Sequence, residues 1–424
     1  MIKKVLGTAG SRVLVSVLSL LLVLIYGRTL GPEGAGTIGL VVLGITIVLL
    51  MSNFVSGGAL VYLTPREKTF LLFLPAYFWA LFSSILVSYA LDRFGLLPDG
   101  MLYHVLFLSL IFSWHTANLN ILLGKERVAA FNVASVFQVV VLFCSFLYFI
   151  FIKEEISVMS YVYALYLSYT AAFLMSLIMI LKELKYVDLS EMGDVILRIF
   201  RYGSFVQFAN TLQLLNYRLG YYIIESYLGK ARLGVFQIGN QLSEGLWIAG
   251  KSLALVQYSR ISNESDPLYA KALSVRFLKL TVLLTVSMLA VFWILPESFY
   301  LWILTDKYEG IKNVIWALSP GIIAISANVI LSHFFSGTGR HHHNAISSGI
   351  GLVFTLTFGF ILIPKIGIVG AGITASVSYM MTLLYQLIMF SRITNLSVKE
   401  LMVRKADFDF LLTEIKGLIF KQNK

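Results

Sequence analysis

Apolar runs of about twenty residues recur from one end of this chain to the other, parted by short polar or turn-forming stretches. Each run is long enough to cross a hydrocarbon core of roughly 30 Å as a helix. The pattern predicts twelve helices, over 9–30, 35–63, 69–91, 101–123, 129–152, 158–181, 203–228, 231–257, 274–295, 311–335, 342–363 and 371–390. Breaks fall at turn chemistry such as Gly31-Pro32-Glu33-Gly34, Thr64-Pro65-Arg66, Leu97-Pro98-Asp99-Gly100 and Asp266-Pro267. One stretch departs from the uniform pattern. Between Gly203 and Gln257 two apolar helices, turning at Gly229-Lys230, carry Asn210, Gln213, Asn216, Arg218 and Glu225, then Gln237, Asn240, Gln241, Glu244 and Lys251. The steps of four, three and seven from Gln237 through Gln241 and Glu244 to Lys251 put one polar stripe on one helix face. A charge within an apolar span costs roughly 2.5–3.5 kcal/mol even on lenient scales, so this face turns toward protein or water.

Composition agrees with the pattern. Hydrophobic residues make up 58% and charged residues 13%, against about 25% charged in a soluble domain, and the mean hydropathy is +0.83. The fold class is therefore an all-α integral membrane protein. The first run, behind Lys3, Lys4 and Arg12, is read as a retained helix, since no small-residue cleavage site follows it. The lone Cys144 excludes an intramolecular disulfide and is read as a small buried hydrophobe. The net charge of +11 points to basic cytoplasmic loops and away from nucleic acid. With the N-terminus inside, more than two thirds of the 33 Lys and Arg lie on the inner side, which places both termini in the cytoplasm of an inner-membrane protein.

The halves echo each other at offsets of about 200 residues: Leu30-Gly31 and Gly36 with Leu228-Gly229 and Gly234, Gly124 to Arg127 with Gly337 to Arg340, and Ser168-Tyr169 with Ser378-Tyr379. Six helices per half make the halves parallel repeats, with a substrate site expected between them near mid-membrane. The expected organisation is a six-helix lobe over 1–181, a linker with a surface helix over 182–202, a second six-helix lobe over 203–390 and a charged cytoplasmic tail over 391–424.

Several motifs mislead. Gly245 to Ser252 fits the phosphate-loop pattern, but it is predicted inside a helix and lacks a preceding strand. Gly34-Ala35-Gly36-Thr37-Ile38-Gly39 fits the dinucleotide fingerprint and is read as close packing through small residues. No nucleotide, cofactor or metal is called for. His341-His342-His343 reads as a solvated loop, and the glycosylation patterns at Asn263 and Asn395 are discounted on topology. No paired carboxylates or Ser/His/Asp arrangement supports an enzyme.

The run Tyr26-Gly27-Arg28-Thr29-Leu30-Gly31-Pro32-Glu33-Gly34-Ala35-Gly36 resembles the first hairpin of the polysaccharide and oligosaccharide-lipid flippases. These belong to the multidrug and oligosaccharidyl-lipid exporter superfamily and include the O-antigen-type flippases. Leu215-Asn216-Tyr217-Arg218, Gly337-Thr338-Gly339-Arg340, and Ile363-Pro364-Lys365-Ile366-Gly367 through Gly372 with Ser378-Tyr379 are similar to further motifs of that family. The resemblance spans about Met1 to Arg392. It implies twelve helices in two lobes around a central cavity. It also implies transfer of an undecaprenyl-diphosphate-linked oligosaccharide from the cytoplasmic to the outer leaflet, with membrane lipids and a polysaccharide polymerase as partners.

Within that frame Arg218 is the expected diphosphate anchor, with Lys251 lower, Arg28 toward the outer mouth, and Asn216, Asn240 and Gln241 for sugar hydroxyls. The alternative makes Arg218 and Glu244 a buried structural pair. Glu225 and Glu244 are also candidates for coupling to an ion gradient or membrane potential. Asn53, Asn118 and Asn120 read as hydrogen-bonding glue between helices. Two rival functions stay open. A cation-coupled multidrug antiporter of the same superfamily is disfavoured by Arg218 and Lys251. A lipid-linked peptidoglycan-precursor flippase is expected to carry additional helices.

Overall fold

The computed structural model describes residues 2–185, 188–246, 248–262 and 266–401. Among them the chain is all-helical, with no strand. The helices are α1 (Ile2–Ser56), α2 (Gly58–Leu63), α3 (Thr69–Arg93), α4 (Leu102–Gly124), α5 (Val128–Leu147), α6 (Val158–Ile180), α7 (Met192–Gly245), α8 (Ile248–Ser262), α9 (Pro267–Ile294), α10 (Glu297–Ile303), α11 (Ile311–Gly337) and α12 (His342–Thr394). Among the described residues eight helices are long and apolar enough to cross a membrane, so this is a multi-pass membrane protein. The polar α7 is not one of the eight.

Three pairs of predicted spans are each continuous in sequence through a single break. Unbroken, α1 with its 55 residues would run roughly 80 Å at 1.5 Å per residue. It is interrupted at Gly31 (φ 69°, ψ −177°), α7 at Gly229 (φ 79°, ψ 172°) and α12 at Ile366-Gly367. The Gly31 and Gly229 backbones occupy a region that only glycine enters without strain. Side-chain contacts prove that each helix folds back there. Tyr26 and Gly39, on either side of Gly31, both lie against Gln237. Arg218 and Glu244, on either side of Gly229, form an ion pair. Gly351 and Thr382 meet across the α12 turn.

α1 and α7 touch beside their turns and again between the C-terminal end of α1 and the first arm of α7. At the turns the contact is reciprocal. A Cβ at Gly36 would lie 2.1 Å from the Lys230 carbonyl oxygen, and one at Gly234 would lie 1.7 Å from that of Pro32. Only hydrogen fits at either position, which is why the apparent dinucleotide fingerprint is helix packing. At the far end a Cβ at Gly203 would lie 2.1 Å from the Phe54 carbonyl oxygen, and Gln207 Nε2 donates to the Leu50 carbonyl at 2.9 Å.

Elsewhere polar side chains tie helices together. Tyr77 donates to Asn118 Oδ1 at 2.9 Å, Asn118 donates to Ser176 Oγ at 3.2 Å, and Asn120 donates to the Ser56 carbonyl at 2.7 Å. These are the expected interhelical bonds of Asn118 and Asn120.

The structure departs from the sequence reading in several places. The expected surface helix in 182–202 is the start of α7, which begins at Met192 and runs through Gly203 without a break. Within the helix expected over 231–257, α7 ends at Gly245 and α8 begins at Ile248, with Trp247 outside the described residues. The phosphate-loop pattern therefore covers the end of one helix and the start of the next and does not lie within one. A helix still precedes it where a nucleotide fold has a strand. Cys144 is exposed, because α5 presents most of its apolar surface outward and buries only Ala134 and Phe146. His342 and His343 begin α12, and His343 Nδ1 is 3.0 Å from the Tyr385 hydroxyl. Asn263 and most of the tail, 402–424, lie outside the described residues.

Candidate functional site

A cavity of about 340 Å³ lies between the two α1 arms, α5, α6 and the two α7 arms. α1 lines it with Ser19, Val23, Tyr26, Gly39, Leu43 and Thr46, among others. α7 lines it with Leu214, Arg218, Tyr221, Gln237 and Gln241. The walls contributed by α5 and α6 are Val139, Leu142 and Tyr161. Arg218, the charged group of this lining, and both glutamines thus come from α7, and most of the aliphatic side chains from α1.

Arg218 is the centre of the polar wall. Its Nη2 lies 3.0 Å from Glu244 Oε2, and its Nη1 donates to the Tyr221 hydroxyl. Asn240 stands behind this pair. Its Nδ2 donates to Glu244 Oε1 at 2.8 Å and to the Tyr221 hydroxyl at 3.2 Å. The pair is not sealed: the Arg218 side chain is 26% exposed and that of Glu244 23%. Guanidinium carries five donors, so the two bonds to Glu244 and Tyr221 leave others for a cavity ligand.

Above Arg218 a second polar group forms around Tyr26. Gln237 Nε2 donates to the Tyr26 hydroxyl at 3.3 Å, and that hydroxyl donates to Gln241 Oε1 at 3.4 Å. The Tyr26 ring also meets Tyr161 edge-on, with centroids 5.6 Å apart. Gln237 fits because Gly39 has no side chain. A Cβ there would lie 1.8 Å from Gln237 Oε1.

The structure brings some expected residues to this cavity and sends others elsewhere. Arg218 and Gln241 line it, and Asn240 and Glu244 brace it from behind. Asn216 is buried away from it, where Oδ1 accepts from Thr355 Oγ1 at 2.7 Å and from Ser378 Oγ at 2.6 Å. The Asn216-Tyr217 and Ser378-Tyr379 motifs meet there, for the Tyr217 and Tyr379 rings also pack edge to face at 5.4 Å. Arg28 donates to the Trp302 and Ile303 carbonyls at 2.9 and 3.1 Å, holding the end of α10 against α1. Lys251 is exposed on α8, past the helix break, within electrostatic reach of Glu244 and Arg218. Glu225 is half-buried four residues before the Gly229 turn and outside the cavity lining.

The sequence reading missed Tyr26, Tyr161 and Tyr221. A tyrosine in an apolar helix looks like core or interface belt, and only its neighbours reveal a hydroxyl facing a cavity.

No protein-family model matches the chain. The capsular polysaccharide biosynthesis protein CapF of Staphylococcus aureus is 27% identical over 197 residues, which cover 44% of this chain and 48% of that protein. The uncharacterized membrane protein MJ1068 of Methanocaldococcus jannaschii is 35% identical over 81 residues, covering 19% of this chain and 16% of that protein. The chain therefore spans less than half the length of these relatives. Solved structures match far more fully. An inward-facing multidrug resistance MATE family transporter of the MOP superfamily gives a TM-score of 0.71 at 15% identity, over 90% of this chain and 96% of that one. The lipid II flippase MurJ in an inward closed conformation gives 0.71 at 14% identity, over 97% and 96%. A Pyrococcus furiosus MOP-superfamily transporter, described by the reverse polarity of its binding pocket, gives 0.62 at 16% identity, over 93% and 96%.

Proposed function

We propose that this chain, which has the fold of the MOP-superfamily transporters, flips an undecaprenyl-diphosphate-linked oligosaccharide from the cytoplasmic to the outer leaflet for surface polysaccharide export. The carrying observation is Arg218, a guanidinium on the wall of a cavity between α1 and α7. Within a membrane such a charge marks a substrate pathway by default. A diphosphate suits it, because a guanidinium fork matches phosphate oxygens. Tyr26, Gln237 and Gln241 offer hydroxyl and amide groups for sugar hydroxyls. CapF, a capsular polysaccharide biosynthesis protein, is a relative in keeping with this substrate class. The cavity, at about 340 Å³, sits at the low end of ligand pockets, roughly 300–1,000 Å³. A glycan of several sugars enters only after one end of the α1–α7 seam parts.

The same reading takes the chain as twelve crossings in two six-helix lobes, with residues 182–202 joining them. The folded-back α1, α7 and α12 supply six of these crossings, and α8 continues the second α7 arm. The reciprocal Gly36–Gly234 contact supports a pseudo-twofold axis along the membrane normal. The basic inner loops support cytoplasmic termini in the inner membrane, and a polysaccharide polymerase is the expected consumer of the flipped lipid. Of the two carboxylates expected to couple transport to an ion gradient, Glu225 and Glu244, it is Glu244 that touches the cavity arginine.

Replacing Arg218 with Ala is expected to abolish surface polysaccharide at unchanged membrane abundance. Normal export by that mutant would sink the proposal. Deleting the gene separates the rivals: loss of polysaccharide supports this reading, drug sensitivity the multidrug antiporter, and failure of cell-wall synthesis the peptidoglycan-precursor flippase.

A further inference from the structure

We propose that Glu244 is an internal counter-ion that an anionic headgroup displaces from Arg218, so that their ion pair is broken and remade in each transport cycle. The inference rests on the reading of Arg218 as the anion anchor. Arg218 faces the cavity, while Glu244 reaches it from behind at 3.0 Å.

Glu244 lies in the last turn of α7, which ends at Gly245. What holds its carboxylate in place is Arg218 on one oxygen and Asn240, one turn back on the same helix, on the other.

Both ions keep a partner when they separate. Arg218 retains the Tyr221 hydroxyl and Glu244 retains Asn240 Nδ2. Asn240 also donates to Tyr221, so the two fallback contacts belong to one braced unit.

The energetics of a carrier give this exchange a purpose. An empty transporter must close around its cavity to return. A lone guanidinium enclosed there is expensive, and Glu244 neutralises it. With cargo bound, the phosphates neutralise it instead. The two anions repel each other, so the headgroup weakens the hold of Glu244 on Arg218 and Glu244 weakens that of the headgroup.

The test titrates the purified full-length protein in detergent with inorganic pyrophosphate, by calorimetry at fixed ionic strength. Glu244→Gln keeps the size and an acceptor for Asn240 while removing the competing charge. It is expected to bind pyrophosphate about tenfold more tightly than the parent, the factor set by an ion pair worth roughly 1.4 kcal/mol. Glu244→Asp, with a shorter arm and a weaker pair, is expected to fall between, and adding Arg218→Gln to Glu244→Gln is expected to abolish binding. Arg218-dependent binding that Glu244→Gln leaves equal or weaker would overturn the exchange and leave the anion anchor standing. Binding that ignores Arg218, or no binding in any variant, would overturn the anchor reading and the exchange with it.

Discussion

The α1 and α7 hairpins share a backbone and differ in chemistry. Each turns at a glycine of nearly the same conformation, Gly31 in one and Gly229 in the other. Each presses a second glycine, Gly36 or Gly234, against its partner's backbone. Counted from those turns, equivalent positions face the cavity: Val23 and Tyr221, Gly39 and Gln237, Leu43 and Gln241. Two further equivalents, Val42 and Thr46 on α1, answer to Asn240 and Glu244 on α7. The α1 hairpin thus offers a mainly aliphatic wall with the hydroxyls of Ser19, Tyr26 and Thr46, and the α7 hairpin the guanidinium and the two amides. The Gly39–Gln237 contact shows that the asymmetry is fitted, since the space missing from one side chain holds the other. Shape at the seam needs both copies of the pattern, whereas the charge in the cavity comes from only one.

The sharpest way to break this comparison is to make α7 as apolar as α1. Arg218→Leu leaves Glu244 without its cation. Removing one member of a buried pair costs roughly 3–5 kcal/mol, and less here because both side chains are about a quarter exposed. Thermal unfolding in detergent should show the loss. Arg218→Leu with Glu244→Leu is expected to recover most of the stability and none of the transport. Recovery of transport by the double variant would make the pair purely structural.

The shared seam is the next target. Gly234→Ala drives a methyl group into the Pro32 carbonyl, and backbone yields less readily than a side chain. Overpacking of this kind costs about 1–3 kcal/mol. Gly36→Ala should behave alike if the seam is symmetric. Both variants are expected to expose cysteines placed near Pro32 and Lys230 to a membrane-impermeant maleimide. Labelling in only one of them would break the symmetry.

The smallest effect probes the polar group around Tyr26. Tyr26→Phe leaves the ring against Tyr161 and removes the hydroxyl shared by Gln237 and Gln241. A loss of about 0.5–1.5 kcal/mol is expected, read as a modest fall in melting temperature. The corresponding α7 residue, Ile224, is fully buried, and Ile224→Val should perturb packing without touching the cavity.

Much of the fold was legible because lipid and water enforce it residue by residue. Apolar length, turn glycines and the conflict of Arg218 with an apolar span all show in the order of residues. So did the shared depth of Arg218 and Glu244, because both lie a similar number of residues from Gly229. The site was less legible. Arg28 and Asn216 carry the same chemistry as a cavity ligand, yet one holds the end of α10 and the other binds Thr355 and Ser378. The end of α7 at Gly245 also escaped, since an isolated glycine inside a helical pattern is tolerated.

By itself, then, the sequence determined an all-α membrane protein with a polar hairpin at the head of its second half, because the cost of burying charge and backbone in lipid is paid locally. Tertiary structure alone decided which polar groups share a cavity. Whether a tyrosine hydroxyl meets a glutamine, or an asparagine turns from the cavity into a helix seam, depends on contacts between residues as far apart as Tyr26 and Gln237 or Asn216 and Ser378. Those contacts are set by how the helices pack, and no local pattern along the chain encodes them.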